Sequence, residues 1–514
     1  MPSCPTSDRR RYNAGVTRAD QYRRLNAHDG FWDIVVIGGG ATGVGVAIDA
    51  AARGYSVLLL EQHDFGKGTS SRSTKLVHGG VRYLEQGNLS LVMEALKERG
   101  LLLQNAPHLV RNLGFVVPTY DWWESPFYGV GLKLYNLLAG KYGFGTSRIL
   151  SKEETLDRLP TINQDGLRGG VIYFDGQFDD ARLLIDLVTT AWEQGAALLN
   201  YAPVTGVVKD DQEFVDGVRF RDLETGEERE ALAKVVINAT GPFADGLRML
   251  ADPAVEPMIA PSQGVHLVFD SSFLPGDSAI MVPHTSDGRV MFAIPWHGHT
   301  LVGTTDTPVA EPSAEPVAQE QEIEFILQTA SIYLARKPTR ADILSMFAGI
   351  RPLVKSDGAT NTAALSRGHV IRIENSGMIT VCGGKWTTYR HMAEDCVNQA
   401  ATLAHLPDRP CVTANLAIFN PGELPPDELL DEILHPALPY TAGDVRRAVR
   451  DEMARTVEDV LARRTRALFL NARAAMEMAE RVAELMAQEM GRDKAWAQEQ
   501  VADFRETAAS YLPT

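Results

Sequence analysis

The sequence predicts an α/β fold: a Rossmann-like dinucleotide-binding domain with an antiparallel sheet inserted into it and an all-helical domain after it. Three observations carry this. Residues 33 to 61, DIVVIGGGATGVGVAIDAAARGYSVLLLE, read as strand, glycine turn, helix and strand. Between 257 and 345, short apolar runs such as HLVFD, AIMVP, VMFAIPW and TLVGTTD alternate with turns, the pattern of antiparallel sheet. Beyond PGELPPDE, residues 421 to 428, whose prolines and acids read as a linker, only helical patterns remain.

In the first stretch Gly38, Gly40 and Gly43 form G-x-G-x-x-G directly after the apolar run Asp33 to Ile37. The first glycine permits a sharp turn, the second lets backbone approach a pyrophosphate, and the third lets helix pack on strand, so phosphates meet the positive helix end. Glu61 ends the second strand, where a carboxylate accepts hydrogen bonds from ribose hydroxyls and disfavours a cofactor with phosphate there. Thr42 and Gln62 flank these positions in the expected cofactor site. The unit binds FAD or NAD.

At 514 residues the chain holds about three domains, and its 45% hydrophobic and 23% charged composition is that of a soluble globular enzyme. A formal charge of −16 argues against nucleic acid as a partner, while leaving room for a local basic pocket. Cys4, Cys382, Cys396 and Cys411 show no metal spacing and fit a reduced, cytoplasmic environment. No segment reaches the ~18 apolar residues of a membrane span. Residues 1 to 29 are polar and read as a flexible or surface-lying extension.

The stretch GKGTSSRSTKLVHGGVRYLE, residues 66 to 85, is dense in hydroxyls and glycine, as a loop tracking a second phosphate and a ring system requires. With the dinucleotide unit before it, TSSRSTKLVHGGVRYLE resembles the FAD-dependent glycerol-3-phosphate dehydrogenases, within the larger flavoprotein group that includes amino-acid and sarcosine oxidases. GIRPL (349 to 353), LSR (365 to 367), VCGGKWTTYRHMAEDCV (381 to 397) and RTVEDVLARRTR extend the likeness over nearly the whole chain after residue 30. The resemblance implies FAD and a fold of the glutathione-reductase/amino-acid-oxidase type. It implies a discontinuous FAD-binding domain (30–115, 165–256, 346–415), a cap domain (116–164, 257–345) and a helical domain (425–514). Cofactor contacts are then expected from Thr69, Ser70, Ser71, Lys75, Leu76, His78 and Gly79. Others are expected from Val204, from Thr240 and Gly241 of the ATG step, and from Gly383, Gly384, Lys385, Thr387 and Thr388.

Oxidising a phosphorylated secondary alcohol needs fixed cations for the dianion, a hydride acceptor and a proton acceptor. Arginine matches phosphate bidentately and stays charged. The family-like motifs place Arg82 and Tyr83, Arg351, Arg367 and Lys385 around such a substrate. His266, in SQGVHLVFD, is the expected proton acceptor, since an ordinary imidazole titrates near neutrality. The activity implied is oxidation of sn-glycerol 3-phosphate to dihydroxyacetone phosphate with quinone as electron acceptor. Alternatives are an oxidase using dioxygen, an amine or amino-acid oxidase, and a noncatalytic flavin-binding scaffold. Between Trp122 and Phe144, seven aromatic residues mixed with Lys133 and Lys141 suit either a membrane interface or a core-packing helix. Peripheral attachment to the cytoplasmic face of the inner membrane and a homodimer are both left open.

Overall fold

The computed structural model describes residues 15–80, 89–283, 285, 289–355, 368–422 and 432–513. Apolar runs too short for helices form a six-stranded sheet that is buried except at its His369–Ile373 edge. Its order is His369–Ile373, Ile379–Gly383, Val236–Asn238, Ile34–Ile37, Val57–Leu60, Ala197–Leu199. The last five are parallel, with Val36 opposite Leu59 and Ile237, and His369–Ile373 runs antiparallel at one edge. All four residues of Ile34–Ile37 and of Val57–Leu60 are buried, because helices cover one face and an antiparallel sheet that includes Val218 and Phe220 covers the other. The helix Ala41–Ala52 starts at Gly40 and packs against Asp180–Gln194 and Tyr389–Leu403. Asp179 caps Asp180–Gln194 by accepting from the Arg182 backbone N–H at 3.0 Å. A three-stranded antiparallel sheet, Val204–Lys209, Val215–Arg221 and Glu228–Leu232, flanks this domain.

The second large sheet has ten strands. At its centre Ile259–Asp270 pairs antiparallel with His299–Gly303 and Ser345–Val354, so that His266 stands opposite Gly303 and Phe347. One pair, Ser278–Val282 with Val110–Thr119, is parallel. Sheet membership departs from the expected segments: Val110–Thr119, Gly169–Phe178 and Ser345–Val354 reach out of the stretches assigned to the FAD-binding domain into this sheet. The period-2 pattern marks these residues as strands but carries nothing about which sheet they join.

Two further expectations are corrected. Part of the N-terminal extension is ordered as the helix Arg18–Ala27, started by a Thr17/Asp20 capping box. Its Arg18 is buried, 2.9 Å from Asp222 and 2.8 Å from the Asn200 amide oxygen. A helix anchored by buried polar groups leaves no apolar stripe in the sequence. The C-terminal domain is not wholly helical either: an antiparallel ribbon, Ile433–His435 with Leu438–Thr441, precedes its helices. There Thr456 and Asp459 close a capping box. The Thr456 hydroxyl accepts the Asp459 N–H at 3.2 Å, and the Thr456 backbone N–H donates to the Asp459 carboxylate at 3.0 Å. Ala475, Ala479, Val482 and Met486 form the buried face of Ala472–Met490. The domain shares one hydrophobic core with the ten-stranded sheet, where Leu468 and Phe469 meet Val268 and Phe347. The Ser345 hydroxyl donates to the Leu468 carbonyl at 2.7 Å.

Candidate active site

Two joined cavities lie between the sheets. The first, about 440 Å³, runs from the glycine turn past the end of the second strand. Of the expected cofactor residues it is lined by Gly38, Gly40, Thr42, Glu61, Gln62, Thr69, Ser70, Val204, Thr240, Gly241, Gly383, Gly384 and Lys385. Gly43 packs rather than lines: a Cβ there would stand 1.9 Å from the Gly38 carbonyl oxygen. The Glu61 carboxylate accepts from the backbone N–H of Gly39 at 2.6 Å and of His63 at 2.8 Å, leaving lone pairs for ribose hydroxyls. Burial pushes its pKa up while those two N–H groups hold it down. A helix N-terminus, a carboxylate at the strand end and a long cleft between them fit the pyrophosphate and ribose of FAD.

The second cavity, about 340 Å³, shares Thr69, Pro352, Gly383, Gly384, Lys385 and Trp386 with the first. His266 and Arg351 stand on its wall, with Leu76, His78 and Thr387 of the expected cofactor set nearby. Arg351 follows from register: it pairs with Ser262, four residues before His266 on the adjacent strand. Its guanidinium donates to the Thr305 carbonyl at 2.9 Å and the Thr304 hydroxyl at 3.2 Å, and stands 3.2 Å from Asp306. Gly264 makes room for it, since a Cβ there would come within 2.4 Å of the guanidinium. The His266 ring stacks on Phe347 with centroids 4.9 Å apart, and its Nε2 lies 2.9 Å from the Thr74 hydroxyl.

The proton affinity expected of His266 changes with this setting. Burial, then the Lys75 and Arg351 charges, push its pKa well below the ordinary imidazole value, so the ring is neutral at working pH. Lys75 lines neither cavity. It is buried, its Nζ 2.7 Å from Asp180, and burial followed by the Arg466 charge pushes its pKa down to about 7 against the pull of Asp180. Ser71, Gly79 and Thr388 also lie outside both linings: Gly79 donates its N–H to the Tyr135 hydroxyl at 2.8 Å, and the Thr388 hydroxyl donates to the Lys385 carbonyl at 3.3 Å. Arg82, Tyr83 and Arg367 fall outside the described residues. Sequence reasoning missed Thr74, Asp175, Arg289, Asp306 and Trp386. Trp386 anchors the loop by donating Nε1–H to the Ser70 carbonyl at 2.8 Å. Thr74 and Trp386 lie inside the quoted motifs, and their neighbours carried the attention. No metal-binding cluster occurs among the described residues.

Comparison with known proteins agrees with this geometry. Residues 33–390 match the family described as FAD dependent oxidoreductase, and residues 377–497 the C-terminal domain of alpha-glycerophosphate oxidase. The mitochondrial glycerol-3-phosphate dehydrogenase of Rattus norvegicus is 40% identical over 94% of this chain and 73% of its own length. That of Arabidopsis thaliana is 47% identical over 75% of this chain, spanning 63% of the plant protein. A solved glycerol-3-phosphate dehydrogenase from Bacillus halodurans, complexed with FAD, is 30% identical, with a TM-score of 0.76 over 96% of this chain and 98% of that one. This chain belongs to the FAD-dependent glycerol-3-phosphate dehydrogenase family.

Proposed function

We propose that the chain oxidises sn-glycerol 3-phosphate to dihydroxyacetone phosphate in the second cavity. The observation that carries this reading is a buried neutral imidazole and a fixed guanidinium on one wall of a cavity that opens into the FAD cleft at Lys385. FAD bound in that cleft supplies the acceptor for the carbinol hydrogen. Arg351 and Lys385 hold the phosphate dianion, and Arg82, Tyr83 and Arg367 are assigned to the same task on the family motifs. The two cations fix the phosphate end, and the carbinol group then lies toward His266. His266, neutral, takes the hydroxyl proton at Nε2 through the Thr74 hydroxyl, which passes its own hydrogen to the ring as it receives the substrate's. Its low proton affinity in the free site is opposed once a dianion stands beside Arg351, because the added negative charge favours the protonated ring.

The electrons pass on to a quinone, and the protein lies on a membrane surface with its bulk in the cytoplasm. This rests on the helix Glu124–Ala139, whose inner face buries Tyr128, Leu132 and Tyr135. Its outer side, with the residues leading into it, exposes Trp122, Phe127, Val130, Leu134 and Leu137 beside Lys133, with Trp122 and Leu137 each 77% exposed. No described helix is long and apolar enough to cross a membrane. A homodimer is compatible with this arrangement. Under anaerobic conditions, sn-glycerol 3-phosphate is expected to bleach the visible flavin absorbance promptly, after which quinone or dioxygen is offered to restore it. Flavin that stays yellow with this substrate and bleaches with an amino acid overturns the reading. Faster recovery with dioxygen than with quinone would make the protein an oxidase.

A further inference from the structure

The loop between the two cavities is held from behind by the C-terminal domain. Thr69 lines both cavities and Thr74 the second. On the opposite side, the Ser71 carbonyl accepts from two cations: Lys75 Nζ at 2.8 Å and Arg466 Nη2 at 2.7 Å. The Asp180 carboxylate ties both cations to the loop. It is 2.7 Å from Lys75 and 3.3 Å from Arg466, and it accepts from the Ser73 N–H at 3.0 Å and hydroxyl at 2.7 Å. Lys75 and Asp180 are fully buried and Arg466 is 2% exposed.

Both cations occupy left-handed backbone, Lys75 at φ 64° and Arg466 at φ 67°, which costs a side-chain-bearing residue about 1–3 kcal/mol and persists where surroundings over-determine it. The aromatic faces of Phe347 and Phe469 lie 4.9 and 5.4 Å from Lys75 Nζ, closing the cluster to water. Thr74, between the anchored Ser73 and Lys75, turns its hydroxyl the other way, onto His266.

We propose that Arg466, with Asp180 and Lys75, is a positioning residue for the reaction: by fixing Ser71–Lys75 it sets the Thr74 hydroxyl that bridges substrate and the His266 ring. The helical domain is thus part of the catalytic construction, contributing no group that touches substrate. The inference rests on His266 as proton acceptor. A displacement of about 1 Å at a reacting group costs on the order of 100-fold in rate, so the effect falls on the limiting rate rather than on substrate affinity.

The test is anaerobic rapid mixing of the flavin-loaded enzyme with sn-glycerol 3-phosphate. Arg466→Lys keeps the charge but lacks the fork, whose Nη2 holds Ser71 and Asp180 while Nη1 is tied to the Ala462 carbonyl at 2.7 Å. Its limiting rate of flavin reduction is expected to fall at least about ten-fold, with half-saturation within about two-fold and FAD content unchanged. Thr74→Val, which leaves the ion cluster intact, shows the same split, and Thr74→Ser restores the rate. A wild-type limiting rate in Arg466→Lys, or a loss of rate matched by an equal loss of FAD, overturns the proposal. If Arg466→Lys does not fold, Thr74→Val decides it alone, and a wild-type rate there overturns it. His266→Gln separates the two layers. Unchanged reduction in that variant removes the proton-acceptor role itself. A slow His266→Gln beside fast Arg466→Lys and Thr74→Val removes only the positioning role.

Discussion

Replacing Arg351 by glutamine isolates the recognition of phosphate from the binding of flavin, because Arg351 lines only the second cavity. Its guanidinium is fixed from behind by the Gln263 and Thr305 carbonyls, the Thr304 hydroxyl and Asp306, at 2.9 to 3.3 Å. Substrate therefore meets a donor already oriented, and little ordering cost offsets the contact. A hydrogen bond to a charged group contributes about 1.5–3 kcal/mol, and each 1.4 kcal/mol is ten-fold, so the catalytic efficiency should fall roughly 10- to 150-fold. The phosphate does not change in the reaction, so the loss belongs to binding: half-saturation rises while the limiting rate of flavin bleaching changes far less. Stability should move by no more than about 1 kcal/mol. The Arg351 side chain is 25% exposed, and Asp306 keeps its bond from the Ser262 hydroxyl. Anaerobic rapid-mixing titration with substrate measures both constants, and bound flavin is read from the same spectra. Unchanged half-saturation, or a variant that loses FAD in proportion to activity, would refute the placement of Arg351 at the phosphate.

Other expectations follow from single distances. Gly43→Ala drives a methyl onto the Gly38 carbonyl at 1.9 Å, so the purified protein should carry little or no flavin by its visible-to-ultraviolet absorbance ratio; full occupancy would contradict the close approach. The pKa of His266 is held down by burial, so the folded state binds fewer protons there than the unfolded chain, and the neutral, competent ring persists as pH falls. The acid limb of the efficiency of flavin reduction should accordingly lie below the ordinary imidazole value of about 6.5, and a limb centred at or above that value would count against the assignment. Trp122→Ser with Trp123→Ser should lower cosedimentation with anionic liposomes; equal and negligible binding by both proteins would end the membrane reading.

What was legible in the sequence was local. The glycine turn, the helix after it and Glu61 announce themselves within one βαβ unit, because each is required by backbone geometry within a few residues. The cations of the second cavity were legible only through motifs. Nothing in the spacing of Arg351 and His266 says that Ser262 and Arg351 pair across adjacent strands. The Lys75 side chain marks the limit of that method. The motif places it beside the cofactor, yet it turns to Asp180, more than a hundred residues away. Arg18–Ala27 failed to show itself for the same reason: its anchors, Asn200 and Asp222, are distant and polar.

The aromatic stretch from Trp122 to Phe144 posed core packing against interface, and its helix, Glu124–Ala139, has a buried side and an exposed one. Tyr135 lies inside, its hydroxyl donating to Asp175 at 2.8 Å and accepting the Gly79 N–H, while Trp122 and Leu137 face outward. Burial at Asp175, whose other oxygen lies 2.5 Å from Arg99, explains why a tyrosine stands there: its hydroxyl satisfies a buried carboxylate and a loop amide together. A helix with apolar residues on its exposed side as well as its buried one gives little amphipathic signal, so periodicity had little to divide. The division appears only when the inner face is seen to carry a polar network. The Tyr135 hydroxyl that holds the Gly79 amide thereby keeps the outer apolar face in a fixed orientation, as the proposed attachment at a surface would require.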